Sequence, residues 1–157
     1  LASPTIRQLM EDVKGELICG EQYLDEAVSN IIVGAMPPHT ALDYFKGEVL
    51  LITPGNREDL ILAALACSVS GIQEDYSVKG IILTGGIWPQ RTVLRLLQQS
   101  GIPTIILKDD TFETAQKITN LIIKIRPEDD EKINIVKQMI KKYIIVDELI
   151  ERIKQRR

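Results

Sequence analysis

At 157 residues, 45% of them hydrophobic and 26% charged, the chain has the material for one ordinary domain with a real core and hardly the length for two. A formal net charge of -3 leaves no general excess of Lys and Arg with which to grip nucleic acid or an anionic membrane surface. No apolar run approaches the ~18 residues that span a bilayer, and the amino end lacks a basic region followed by a hydrophobic stretch. Aromatic residues make up only 4%, so Ile, Leu and Val must fill the core. Cys67 lies within the apolar helical pattern Leu62, Ala63, Leu65 and Ala66, which suits a buried thiol better than a disulfide with Cys19, and a reducing cytoplasm is the expected compartment. A start at Leu1-Ala2 in place of Met is expected of a piece excised from a longer polypeptide.

The elements follow in chain order. Thr5 caps a first helix with apolar positions Ile6, Leu9, Met10 and Val13, and Gly15 is expected to end it. Glu16 to Cys19 is a brief strand, and Asn30 to Val33 a better one, closed by Gly34 and the stiff pair Pro37-Pro38. A short helix from His39 or Thr40 to Phe45 stops near Gly47. Three units then repeat one logic. Strand Val49–Thr53 leads into a helix from Arg57 to Ser70 ended by Gly71, and strand Gly80–Thr84 into Gln90 to Ser100 ended by Gly101. Ile105–Leu107 passes through Lys108-Asp109-Asp110 into a helix from Thr111 to about Ile122, with Asp110 as its cap. Short, nearly all-apolar strands each followed by a helix imply a mainly parallel α/β sheet flanked by helices. After Pro127, the acids Glu128 to Glu131 and apolar positions Ile133, Val136, Ile140, Tyr143 and Ile144 predict a long amphipathic helix, with Lys141-Lys142 in its last turn. Asp147 caps a final helix carrying Leu149, Ile150 and Ile153. The expected organisation is an α/β domain over 1–124 and a C-terminal helical extension over 125–157.

Ligands of parallel sheets sit beyond the carboxyl ends of the strands, which directs attention to Thr53-Pro54-Gly55-Asn56-Arg57 and Thr84-Gly85-Gly86. Two readings stand for the first loop. Its backbone N–H groups and Arg57 would suit a phosphate or carboxylate; equally, Pro54 and Gly55 turn the chain, Asn56 caps the helix, and Arg57 pairs with a nearby acid such as Asp59. The second loop either admits a ligand close to its backbone or lets a strand leave the sheet sharply. Trp88 and Pro89 form a partly apolar lip. His39 is the sole histidine, so no multi-histidine metal site can be built, and it reads as a solvated loop residue. Asp109-Asp110 and Glu128 to Glu131 are explained by helix capping and lack calcium-loop spacing. No complete catalytic set is present and no metal is expected; the chemistry leaves any cofactor unknown. The basic tail Lys154 to Arg157 is what a helix carboxyl end favours and does not argue for nucleic acid.

Three ordered segments, Asn30-Ile31-Ile32-Val33-Gly34-Ala35-Met36, Gly55-Asn56-Arg57-Glu58-Asp59 and Ile81-Ile82-Leu83-Thr84-Gly85-Gly86, resemble the DRTGG domain found in the middle of long bacterial phosphate acetyltransferases. The resemblance covers roughly Thr5 to Ile122. It implies a fold similar to the amino-terminal domain of HPr kinase, self-association as a homodimer or higher oligomer, and regulatory rather than catalytic work. The family's Asp-Arg pair stands here as Asn56-Arg57, which removes a carboxylate but keeps a hydrogen-bonding or capping side chain. The leading expectation is a non-catalytic regulatory and oligomerisation domain of a phosphate-acetyltransferase-like protein, in contact with adjacent domains of a longer chain. The alternative is a sensor that binds a nucleotide or phosphorylated metabolite through Thr53, Gly55, Asn56, Arg57, Thr84, Gly85 and Gly86.

Overall fold

The computed structural model describes residues 3–69, 75–122, 134, 135, 137 and 138. Residues 3–122 form one unit and 123–157 belong to another. The latter contributes four described residues, all helical, so the two expected C-terminal helices lie largely outside the described residues, as does the expected stop at Gly71.

Helix α1 (Ile6–Val13) opens with a reciprocal capping box. Thr5 accepts from the Gln8 backbone N–H at 3.3 Å, and the Thr5 N–H donates to Gln8 Oε1 at 3.0 Å. Lys14, not Gly15, takes the left-handed position that ends it, with φ 54°. A Cβ on Gly15 would meet Ile105 Cγ2, so that glycine answers to packing rather than to a turn. Strands β1 (Glu16–Cys19) and β2 (Asn30–Val33) follow, and then α2 (Pro38–Ala41), continued by a 3-10 turn over Leu42–Tyr44. Proline starts α2 one residue earlier than expected because its fixed φ suits the first helical position.

The remaining chain alternates β3 (Gly47–Pro54), α3 (Glu58–Val69), β4 (Tyr76–Thr84), α4 (Arg91–Ser100), β5 (Thr104–Ile106) and α5 (Thr111–Ile122). Both central strands begin earlier than their apolar runs. Val49 pairs with Val78 and Leu50 with Gly80, so Lys79 is the extra residue of a bulge, and its ammonium lies 2.9 Å from Glu26. A bulge breaks the alternation by which the polar half of β4 could have been read. The sheet order is β1-β5-β4-β3-β2, parallel throughout except for β1, which runs antiparallel along the β5 edge.

Two cores cover the two faces. Val49, Leu51, Ile81 and Leu83 pack under α2, α3 and α4 with Ala41, Phe45, Leu60, Ile61, Ala64 and Leu97. Their neighbours Leu50, Ile52, Ile82 and Ile105 pack under α1 and α5 with Ile6, Leu9 and Ile118. Leu50, Leu51, Ile52, Ile81, Ile82 and Leu83 have no exposed surface at all. Each contributes roughly 1.5–3 kcal/mol by burial, which holds the carboxyl ends of β3 and β4 rigidly in place.

Candidate functional site

The turn after β3 is closed by the Arg57 N–H on the Pro54 carbonyl at 3.0 Å. The Arg57 carbonyl accepts from the Leu60 and Ile61 N–H groups, both at 3.1 Å, so Arg57 occupies the capping position expected for Asn56. Asn56 is exposed and its side chain has no hydrogen-bond partner among the described residues. The guanidinium is committed to partners within the chain. Nε and Nη2 form a fork on Asp59 at 2.9 Å each, Nη1 donates to the Gly34 carbonyl at 3.3 Å, and Nη2 to the Met36 carbonyl at 3.0 Å. These bonds use most of the donors a guanidinium owns and tie the connection after β2 to the start of α3. The shared hydrogen bond holds the Asp59 carboxyl below its ordinary range and raises Arg57 above its own. Thr53, one turn away and fully buried, has a hydroxyl without a hydrogen-bond partner among the described residues.

The loop after β4 is committed differently. Gly85 and Gly86 are left-handed, with φ 75° and 63°, a pair of conformations that side-chain-bearing residues rarely adopt. Their N–H groups donate to the Asp109 and Leu107 carbonyls at 2.7 and 2.8 Å, and the Thr84 and Thr111 hydroxyls are 2.7 Å apart. These amides are therefore stitches between two loops and not an anion cradle. Both glycines are exposed, and an added Cβ would meet only Ile87, from 3.4 Å, at Gly85 and only Lys108, from 3.7 Å, at Gly86. Their outer surface is a bare stretch of backbone.

The seven residues expected at a site thus divide into two groups. A Cβ on Gly55 would sit 1.6 Å from the Ile87 carbonyl oxygen, so the two loops abut with no crevice between them. The topology explains this. Helices α3 and α4 cover the same face, and the connections after β3 and β4 leave the sheet side by side. Helix α5 covers the other face, so the helices after β4 and β5 lie on opposite sides of the sheet, although their connections are hydrogen-bonded to each other where they leave it. The switch point at which α/β ligands collect therefore lies at Thr84–Gly86 and the loop after β5. Arg57 reaches the other way, toward the connection after β2.

Around the switch point, Ile87, Trp88 and Phe112 are 38%, 52% and 77% exposed. The neighbouring acids are engaged: Asp109 lies 2.6 Å from the Lys117 ammonium, Asp110 accepts from the Glu113 N–H at 2.8 Å, and Glu58 accepts from the Gln90 N–H at 2.7 Å. Lys108 is exposed and forms no ion pair among the described residues. Lys108-Asp109-Asp110 reads in the sequence as a helix start, and the third strand-helix connection also carries the Thr111 hydroxyl that meets Thr84 and the exposed Phe112. Pro89 is buried while Trp88 stands out in solvent, and His39 is exposed. Among the described residues no group of three or more His, Cys, Asp or Glu converges to hold a metal ion, and no helix is long and apolar enough to cross a membrane.

The fold is thus that of a three-layered α/β domain, a mostly parallel five-stranded sheet with helices on both faces. The sequence pattern of the DRTGG domain matches residues 8–121, and the chain belongs to that family. Phosphate acetyltransferases are among its curated relatives. That of Nitratidesulfovibrio vulgaris is 36% identical over 160 residues, spanning 100% of this chain and 22% of the relative. Those of Pseudomonas putida and Escherichia coli K12 are 23% and 25% identical, spanning 92% and 70% of this chain and 21% and 15% of theirs. The chain therefore covers about a fifth of these relatives or less. Among solved structures, the CBS and DRTGG domains of the regulatory region of Clostridium perfringens pyrophosphatase, complexed with the activator diadenosine tetraphosphate, share the fold. The TM-score is 0.54 at 17% identity, over 88% of this chain and 60% of that one.

Proposed function

We propose that this chain is a non-catalytic regulatory and oligomerisation domain of a phosphate-acetyltransferase-like protein, with residues 1–124 as the α/β domain and 125–157 as its helical extension. The observation that carries the reading is family membership across 8–121 in a segment that corresponds to about a fifth of enzymes far longer than itself. The polar groups at its loops work in the same direction. Arg57, Asp59, Thr84, Asp109 and Asp110 are engaged with neighbouring side chains or with backbone, as a scaffold requires. A cytoplasmic setting fits two free cysteines. Light scattering on the chain tests the assembly claim: a dimer or larger species at micromolar concentration is expected, and a monomer that persists at high concentration refutes it.

A second reading, small-ligand sensing at the strand ends, is favoured by the switch point at Thr84–Gly86 and by the activator named with the Clostridium perfringens regulatory region. The same light-scattering experiment, repeated with adenine nucleotides, acetyl phosphate and coenzyme A, addresses it. A compound that shifts the mass or the melting temperature supports sensing, and indifference to all of them leaves assembly alone.

A further inference from the structure

We infer that the groove between α3 and α4 is where a second copy of this chain docks, with α3 of each copy lying on α4 of the other about a two-fold axis that runs along the groove. The inference rests on the assembly reading and deepens it by naming the face and the order of the helices.

The first observation is in the sequence of α3. Leu60 to Cys67 is apolar without a break, and a helix that is apolar all round is one that is covered all round. The sheet side takes Leu60, Ile61, Ala64 and Leu65, yet Leu62 is 43% exposed and Ala66 is exposed as well. On the adjacent helix Leu96 is 41% exposed. These three, with Leu65, Gln99 and Ser100, line an uncharged groove of about 300 Å³.

The charges beside the groove identify the partner. Helix α3 carries Glu58 and Asp59 and no Lys or Arg, whereas α4 carries Arg91 and Arg95 and no Asp or Glu. All four lie in the first two turns of their helices, and the amino ends are brought together by the Gln90 N–H that donates to Glu58 at 2.7 Å. The Asp59 side chain keeps 46% of its surface in solvent beside Arg57, and both arginines are exposed and form no ion pair among the described residues. The two helices follow parallel strands onto one face and so point the same way. A two-fold axis along the groove therefore sets the leucines of each copy against those of the other and the acids of each α3 opposite the arginines of the facing α4, giving an apolar centre with a charged rim. A face that carries both halves of one complement is matched by its own copy, and closed two-fold pairing is the commonest way proteins use such a face.

Sedimentation equilibrium of the 157-residue chain over a concentration series measures the dimer. Leu96→Glu and Leu62→Gln should each weaken it about tenfold or more, because symmetry makes every substitution count twice. Arg95→Glu, at a fully solvated position that cannot disturb the core, should weaken it to a similar degree. Phe112→Ala, on the helix of the opposite face, should leave it unchanged. All four should keep the circular dichroism spectrum of the parent. If the parent dimerises and both leucine variants dimerise equally well, this face is wrong and assembly runs through another. A dimer broken by the leucine variants but indifferent to Arg95→Glu overturns the placement of α3 on α4. A parent that stays monomeric at high concentration overturns the interface and the assembly reading together.

Discussion

Replacement of Arg57 by Ala separates the two readings of the loop after β3, because a ligand-binding arginine and a structural one fail differently. The guanidinium bonds the Met36 carbonyl at 3.0 Å and, more weakly, the Gly34 carbonyl at 3.3 Å. Bonds from a charged donor contribute about 1.5 kcal/mol each at the low end, and the longer one is taken at about half that. The fork on Asp59 is open to solvent, with 30% and 46% of the two side chains exposed, and adds about 0.5 kcal/mol. The sum is about 2.8 kcal/mol, and a domain of this size loses roughly 3 °C of melting temperature per kcal/mol, so Arg57→Ala should melt about 8 °C below the parent. Arg57→Lys keeps the charge but cannot form the fork and reach two carbonyls at once, and should recover less than half of the loss. Asp59→Ala should cost well under 1 kcal/mol. Thermal and urea unfolding followed by circular dichroism give all three values. If Arg57→Ala melts within a degree or two of the parent, the guanidinium is not the clamp described and its place as a ligand contact returns.

Gly55→Ala should be among the most damaging single-methyl additions, at about 3 kcal/mol, because the new Cβ falls on the backbone carbonyl of Ile87 and only a separation of two loops relieves it; an unaltered urea midpoint would show that the loops do not abut. Thr53→Val should be neutral or stabilising by up to about 1 kcal/mol, since it removes a fully buried hydroxyl without a hydrogen-bond partner among the described residues in an isosteric exchange, and a clear loss of stability would reveal a bound water or ligand at that oxygen. The carboxyl of Asp59 is held below its ordinary range by Arg57, so its contribution is present above the unfolded carboxylate pKa near about 4 and is lost as pH falls through the lower folded value. Urea midpoints taken down to about pH 3 should therefore drop, and drop less in Asp59→Asn. Burial raises both thiols, Cys19 and Cys67, so alkylation at mildly basic pH should run slower than for a free thiol, and equal rates would place them in solvent.

Much of the fold is written in local signals. Thr5, Asp110 and Gly101 mark helix ends through chemistry confined to one turn of chain, and each acts where it was expected. The apolar runs Val49–Thr53 and Gly80–Thr84 required a strand buried on both faces, and both are fully or almost fully buried. The tertiary structure decided what depends on partners distant in sequence. Tyr76 to Lys79 is a strand only because β3 lies beside it and a bulge absorbs Lys79. Arg57 is a clamp and not an open donor because Gly34 and Met36, more than twenty residues earlier, bring their carbonyls to it. The amides of Gly85 and Gly86 are occupied because the loop after β5 lies against them. The choice of face for α5, opposite to α3 and α4, puts the topological switch point of the sheet at the second glycine loop and not the first. Residue type and spacing determine which groups are available for chemistry, because propensity and capping act within a turn of chain; which of those groups remain free is set by what the completed sheet places next to them.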